Sequence, residues 1–273
     1  MASWNAVIKA VQQSTVSSDL SAIKLPSSLR AEKRGPVAIL RLHRAEKCNA
    51  LNDTLVQGIV AFFDALPAEI RAVVLAGDGD HFSAGLDLTE LEERDVFGGV
   101  AHSSSWHRAF ERIEFGKVPV VAVLHGAVVG GGLELAAAVH IRVAERSAYY
   151  ALPEGSRGIF VGGGGSVRLP PLLGVARMMD MMLTGRTLNA EEGQAIGLSQ
   201  YLVDDGAGLA KAIELAERIA GNAPFTNFAV THMLPRIARS DPAAGFATEA
   251  LTAAIAQGEE EACLLYTSPS PRD

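Results

Sequence analysis

Cysteine is nearly absent. The chain of 273 residues holds two, Cys48 and Cys263. They form neither a disulfide framework nor a zinc-ligand spacing, so no metal site is expected and a reducing, cytoplasmic location is. Basic charge is also short, with 24 Lys and Arg against 31 Asp and Glu and a formal net charge of −7. A phosphate-reading nucleic-acid surface is therefore not expected, and any anionic ligand needs a local site. No apolar run reaches the roughly 18 residues of a membrane span. The richest stretch, Val118–Val139, is interrupted by His125, several glycines and Glu134. The first thirty residues contain Lys9, Lys24 and Arg30 but no apolar signal-peptide core, which disfavours secretion and leaves organelle targeting as the alternative to the cytoplasm.

Several catalytic signatures are missing as well. No glycine cluster is followed by the Lys-Ser/Thr of a phosphate loop. Gly130-Gly131-Gly132 and Gly162–Gly165 lack the dinucleotide spacing, and Gly164-Gly165-Ser166-Val167-Arg168 fails at the last position of a nucleophile elbow. His102 and His107 are five apart, fall on different sides of a helix, and read as surface or boundary residues rather than ligands.

Hydrophobic residues make up 48% of the chain, enough for a substantial globular core. Residues 1–34 show no convincing alternation and read as a short helical or loose extension. Pro36–Leu42 alternates, with Val37 and Ile39 on one face and Ala38, Leu40 and Leu42 on the other, which predicts a strand buried mainly on one side. Asn52 is a good N-cap for apolar positions Leu55, Ile59, Phe62, Phe63 and Leu66 at helical spacing, ending at Pro67. Strands are predicted at Ala72–Ala76, Pro119–Leu124 and His140–Ala144, and helices at Trp106–Phe115 and Glu134–Ala138. Strand and helix alternate, so the class is α/β. After Gly174 the β-pattern fades, and helices are predicted at Val175–Thr184, Ala190–Ile196, Leu209–Gly221, Ala223–Ile237 and Pro242–Gln257. The methionine-rich segment Arg177–Leu183 reads as helix packing that could border a pocket. Residues 35–200 thus form a core, 201–262 a helical region, and 263–273 a non-native or disordered tail, since its prolines break the preceding helix.

Two segments bear on chemistry. Phe82-Ser83-Ala84-Gly85-Leu86-Asp87-Leu88 follows a strand and a polar turn, and Gly130-Gly131-Gly132-Leu133-Glu134-Leu135-Ala136 follows a strand and opens a helix. Glycine-rich turns admit a ligand close to the backbone, and free N–H groups at a helix start favour negative charge, so the two could supply an oxyanion hole.

With Asn49-Ala50-Leu51 and Leu152-Pro153-Glu154, these segments resemble the crotonase (enoyl-CoA hydratase/isomerase) superfamily over about residues 35–258. The resemblance implies a crotonase-like superhelix of repeated ββα turns with a helical C-terminal trimerisation region. It also implies an acyl-coenzyme A thioester as substrate, a homotrimer or dimer of trimers, and no cofactor beyond the coenzyme A of the substrate. It places the oxyanion donors at the backbone N–H groups of Leu86 and Gly131, and the catalytic carboxylates at Glu134, which would activate water, and Glu154, which would protonate the α-carbon. Arg44 and Lys47 would approach the coenzyme's phosphates, and Ala84, Asp87, Gly130 and Gly162 would lie against the substrate. Enoyl-CoA hydration is the expected reaction. The alternatives are a Δ3,Δ2-enoyl-CoA isomerase, a hydrolase, dehalogenase or hydratase-lyase on the same scaffold, or a non-catalytic RNA- or protein-binding homologue. Ala45 stands where the family often has proline, and the tail replaces the family's last charged helix.

Overall fold

The computed structural model describes residues 20–90 and 94–258. The expected tail at 263–273 lies outside them. Six strands form the main sheet: β1 (Leu29–Arg34), β2 (Val37–Leu42), β3 (Ala72–Gly77), β4 (Val120–Leu124), β6 (Ile141–Glu145) and β9 (Tyr201–Val203), in the spatial order β1-β2-β3-β4-β6-β9. β1 pairs antiparallel with β2 through Leu29↔Leu42 to Arg34↔Val37, and every other neighbour pair is parallel. A second sheet holds β5 (Ala127–Val129), β7 (Tyr149–Ala151) and β8 (Leu188–Asn189) in the order β5-β7-β8.

Parallel strands need crossovers. Helix α1 (Asp53–Asp64) carries the chain from β2 to β3, and α2 (Val96–Glu114) carries it from β3 to β4. Between β4 and β6 the chain adds β5 and then α3 (Gly131–Ala138). α1 begins where the sequence predicts, since the Asn52 side chain accepts from Leu55 N at 2.9 Å, a cap worth about 1 kcal/mol. Its stripe of Leu55, Ile59, Phe62 and Phe63 is buried. α2 starts ten residues before the predicted Trp106, capped by Asp95, whose carboxylate accepts from Gly98 N at 2.7 Å.

β2 is buried on both faces rather than one. Ala38, Leu40 and Leu42 join the core beneath α1 and α2, while Val37 and Ile39 pack with Val74, Val121 and Val143 against α4 (Gly208–Ala220) through Ile213, Leu215 and Ala216. A parallel sheet sits between two helical layers, so an alternating strand loses its solvent face. Glu145 ties α4 to the sheet by accepting from Gly208 N at 2.9 Å.

Two further expectations change. The extension assigned to 1–34 gives its last six residues to the sheet as β1, and strands do occur after Gly174, at β8 and β9. The predicted helix at Ala223–Ile237 contains a π turn at Ala229–Met233 just before Pro235, which has no N–H for the Thr231 carbonyl. The helix Pro242–Gly258 presents Phe246, Leu251 and Ile255 to solvent and buries Gly245. Among the described residues no helix is long and apolar enough to cross a membrane.

Candidate active site

Asn49 fixes the loop after β2. It stands at φ 52°, a left-handed conformation that asparagine tolerates better than most residues. Its Nδ2 donates to Asp78 O at 2.8 Å and His81 O at 2.7 Å, and its Oδ1 accepts from Arg44 N at 2.9 Å. The Ser83 hydroxyl donates to Asn49 O at 2.8 Å, and Ala84 N donates to Cys48 O at 2.9 Å. The Phe82–Leu88 segment is thereby held against the 44–51 loop.

From there the backbone pattern isolates one N–H. Leu51 N donates to Gly85 O at 2.7 Å and Asp87 N donates to Leu51 O at 2.8 Å, so the bridge uses the groups on either side of Leu86 and turns Leu86 N away. Gly131 opens α3, where the first N–H groups have no helical partner. Neither Leu86 N nor Gly131 N is hydrogen-bonded among the described residues. The two lie close, because a Cβ built on Gly131 would stand 3.5 Å from Leu86 N. This approach requires glycine at position 85, which has φ 91°, and where a Cβ would fall 2.6 Å from Val129 O and 3.1 Å from Gly131 N.

Two carboxylates border the same cavity, a space of about 290 Å³ that Leu86 and Gly131 also line. Glu134 sits in the first turn of α3 and is 3% exposed. Its Oε1 accepts from Gly163 N at 2.9 Å and Gly165 N at 2.7 Å. Burial pushes its pKa up, and these N–H bonds oppose the rise. Glu154 follows β7, and a Cβ on Gly130 would stand 2.8 Å from its Oε1. Its Oε2 is buried and has no partner among the described residues. Burial raises its pKa too, and the neighbouring Glu134 charge adds to the rise. A backbone hydrogen bond opposes the rise, and a carboxyl group that is costly to ionise and has one oxygen unengaged is suited to exchange a proton with a ligand.

The residues expected at the coenzyme and substrate divide. Gly162 lines the cavity, and its carbonyl accepts from Ser103 Oγ at 2.6 Å. Gly130 turns beneath Glu154 at φ 53°, with its N–H on Ala151 O at 2.9 Å. Arg44 is directed inward, donating to Asp87 Oδ2 at 2.7 Å and to Ala50 O at 3.1 Å. Asp87 is therefore a brace for two loops rather than a lining residue. The Thr89 hydroxyl, with Arg44 and Lys47, holds its carboxyl well below the usual range. Lys47 reaches the same oxygen at 3.2 Å but stays 45% exposed, the one of the three with charge turned to solvent. Ala84 serves through its backbone. Met178 and Met181 are core residues on the helix Val175–Thr184 and do not line the cavity.

Sequence reasoning missed the wall that α2 builds. His102 lines the cavity with Ser103 and Trp106, and its Nε2 lies 2.9 Å from Asp53 Oδ1. The Trp106 indole N–H donates to the same oxygen at 2.8 Å. His107 stands behind this wall, with its Nε2 3.3 Å from Ser103 Oγ. The spacing of His102 and Trp106, i and i+4, was the available signal once the helix was known to begin at Val96. No group of three potential metal ligands occurs among the described residues.

Residues 32–261 match the family described as Enoyl-CoA hydratase/isomerase. The chain is 33% identical over 196 residues to the Short-chain-enoyl-CoA hydratase of Clostridium acetobutylicum, covering 71% of this chain and 75% of that protein. A crystal structure of a "putative enoyl-CoA hydratase" from Rhodopseudomonas palustris superposes with a TM-score of 0.87 at 57% identity, covering 90% of this chain and 95% of that one. The enoyl-CoA hydratase of Thermoplasma volcanium gives 0.82 at 30% identity, covering 89% and 98%. The match spans the Phe82–Leu88 segment, Glu134, Glu154 and the helical C-terminal region, and the chain belongs to the crotonase, or enoyl-CoA hydratase/isomerase, family.

Proposed function

We propose that the chain adds water across the 2,3 double bond of an enoyl-CoA thioester. The observation that carries this reading is the pair of buried carboxylates, Glu134 and Glu154, at one cavity with the two unengaged N–H groups of Leu86 and Gly131. The N–H groups would hold the thioester oxygen and stabilise the enolate that forms as the double bond is attacked. Glu134, fixed through Oε1 by Gly163 and Gly165, would take a proton from water as its oxygen bonds to the β-carbon. Glu154, favoured in its protonated form, would deliver the proton that the α-carbon needs. The reaction so written balances on the chain's own groups and calls for no metal or redox cofactor. The pair interacts, so its titration belongs to both members.

Isomerisation needs one proton carrier, whereas hydration uses two, and the presence of both glutamates favours hydration. Lys47, exposed at the end of the Arg44–Asp87 brace, is the residue we assign to the coenzyme's phosphates. We further propose assembly with copies of the same chain into a trimer or dimer of trimers, supported by the large apolar side chains Phe246, Leu251 and Ile255 that the last helix leaves exposed. The test is spectrophotometric. Crotonyl-CoA should lose its conjugated absorbance with formation of the 3-hydroxyacyl thioester, and migration of a 3-enoyl-CoA double bond without hydration of crotonyl-CoA would overturn the assignment.

A further inference from the structure

Glu134 Oε1 is held by two peptide groups that differ in their support. The Gly165 N–H belongs to the peptide whose carbonyl, Gly164 O, accepts from Val167 N and Arg168 N at 3.1 Å, where the short helix Gly165–Arg168 opens. The Gly163 N–H belongs to the peptide whose carbonyl is Gly162 O, and no backbone N–H reaches that oxygen among the described residues. Its donor is Ser103 Oγ, at 2.6 Å. In a trans peptide the C=O and N–H point in opposite directions, so the Ser103 hydroxyl and the Glu134 carboxylate stand at the two ends of one dipole. The chain of bonds extends one link further. A hydroxyl has a single proton and a carbonyl can only accept, so Ser103 gives its proton to Gly162 O, and His107 Nε2, 3.3 Å from Ser103 Oγ and one turn along α2, is the donor to that hydroxyl. His107, Ser103 and the 162–163 peptide thus donate in one direction, toward Glu134, and bonds so aligned strengthen one another.

We propose that Ser103, backed by His107, is a positioning residue for Glu134, holding and polarising the 162–163 peptide so that the carboxylate stays ionised and aimed to take a proton from water. The inference rests on the hydratase reading above. The charged and titratable groups around Glu134 are Glu154, Arg94 and His102 on the cavity they share, His107 behind the wall, and Arg168, which pairs with Glu114 at 2.6 Å and donates to Gly163 O at 3.1 Å. Burial works against the Glu134 charge, and the donors to Oε1 work for it. Losing the hydroxyl should therefore raise the pH at which Glu134 ionises.

Infrared titration of the carboxyl stretch that Glu134→Gln removes reads the protonation of Glu134 without substrate. In Ser103→Ala its midpoint should rise by about half a pH unit or more, roughly a three-fold change in the ionisation constant, and Ser103→Thr, which keeps the hydroxyl, should restore it. His107→Phe should move it the same way by less. The acid limb of kcat for crotonyl-CoA hydration should shift with the midpoint in Ser103→Ala, so that the loss is greatest at low pH and closes at high pH. Alanine is the better helix former, and circular dichroism checks that α2 is retained. An unmoved midpoint in Ser103→Ala, an equal rise in Ser103→Thr, or a fall in His107→Phe overturns the proposal. The expected shifts in a chain that fails to hydrate crotonyl-CoA would keep Ser103 as the residue that positions Glu134 and overturn the hydratase assignment alone, whereas intact hydration with an unmoved midpoint would do the reverse.

Discussion

The Arg44 guanidinium donates to Asp87 Oδ2 at 2.7 Å, with the two residues 13% and 4% exposed. Arg44→Met leaves the Asp87 charge buried without its principal cation, a change that typically costs about 3–5 kcal/mol. Lys47 bonds the same oxygen from an exposed position, so Lys47→Met should cost under about 1 kcal/mol and act mainly by raising KM for thioesters. Urea unfolding and steady-state kinetics separate the two, and the reverse ranking would remove the distinction drawn between brace and ligand contact.

The oxyanion assignment rests on backbone, which makes it insensitive to most side chains. Leu86→Ala should retain activity to within a few-fold. Leu86→Pro deletes the N–H itself and should lower kcat by at least roughly 100-fold. Equal losses in both variants would show that Leu86 acts through packing.

Glu→Gln keeps shape and removes proton transfer. Each single variant, Glu134→Gln and Glu154→Gln, should lose hydration by roughly 100- to 10,000-fold, and the double variant should lose much less than the product of the two. Saturated acyl-CoA binding should survive in both. Full turnover of a 3-enoyl-CoA by Glu134→Gln, with failure confined to Glu154→Gln, would instead identify an isomerase.

A pH dependence of stability follows from the raised pKa of Glu134. The folded state binds the proton more tightly than the unfolded one. Ionisation above the unfolded value of about 4.3 therefore lowers stability as pH rises, until the folded pKa is passed. Glu134→Gln can still accept from Gly163 and Gly165 without a charge, so its Tm should exceed that of the wild type at neutral pH. The difference should close below about pH 4. A variant less stable than wild type at neutral pH would show that the ionised carboxylate is a net stabiliser.

Light scattering at micromolar concentration should report a trimer or hexamer. The exposed positions Phe246 and Leu251 are where a charge would interfere, and Phe246→Glu with Leu251→Glu should shift the chain toward monomer without lowering its helical signal. A monomeric wild-type chain would refute the assembly.

The long periodic elements were readable from sequence because burial and local preference coincide in them. α1, with its Asn52 cap and apolar stripe, is the clearest case. β1 was not readable, since Leu-Arg-Ala-Glu-Lys-Arg has no apolar alternation and becomes a strand through its pairing with β2. The first part of α2 was missed for a related reason, since Gly98, Gly99 and three serines dilute its apolar pattern. In the site, two glycine-rich turns pointed to unengaged N–H groups, and the resemblance supplied Glu134 and Glu154. The contacts of Asp53 with His102 and Trp106 join residues about fifty positions apart on two helices, and no local pattern encodes them.

Because the amides of Gly163 and Gly165 both terminate on Glu134 Oε1, the protein carries a built-in reporter of its own proton inventory. Neutralising that oxygen weakens both bonds at once, and the two amide proton resonances should move together along one titration curve. Nuclear magnetic resonance on a glycine-labelled chain could follow the charge of a buried carboxylate through the backbone that holds it, with substrate absent and then present.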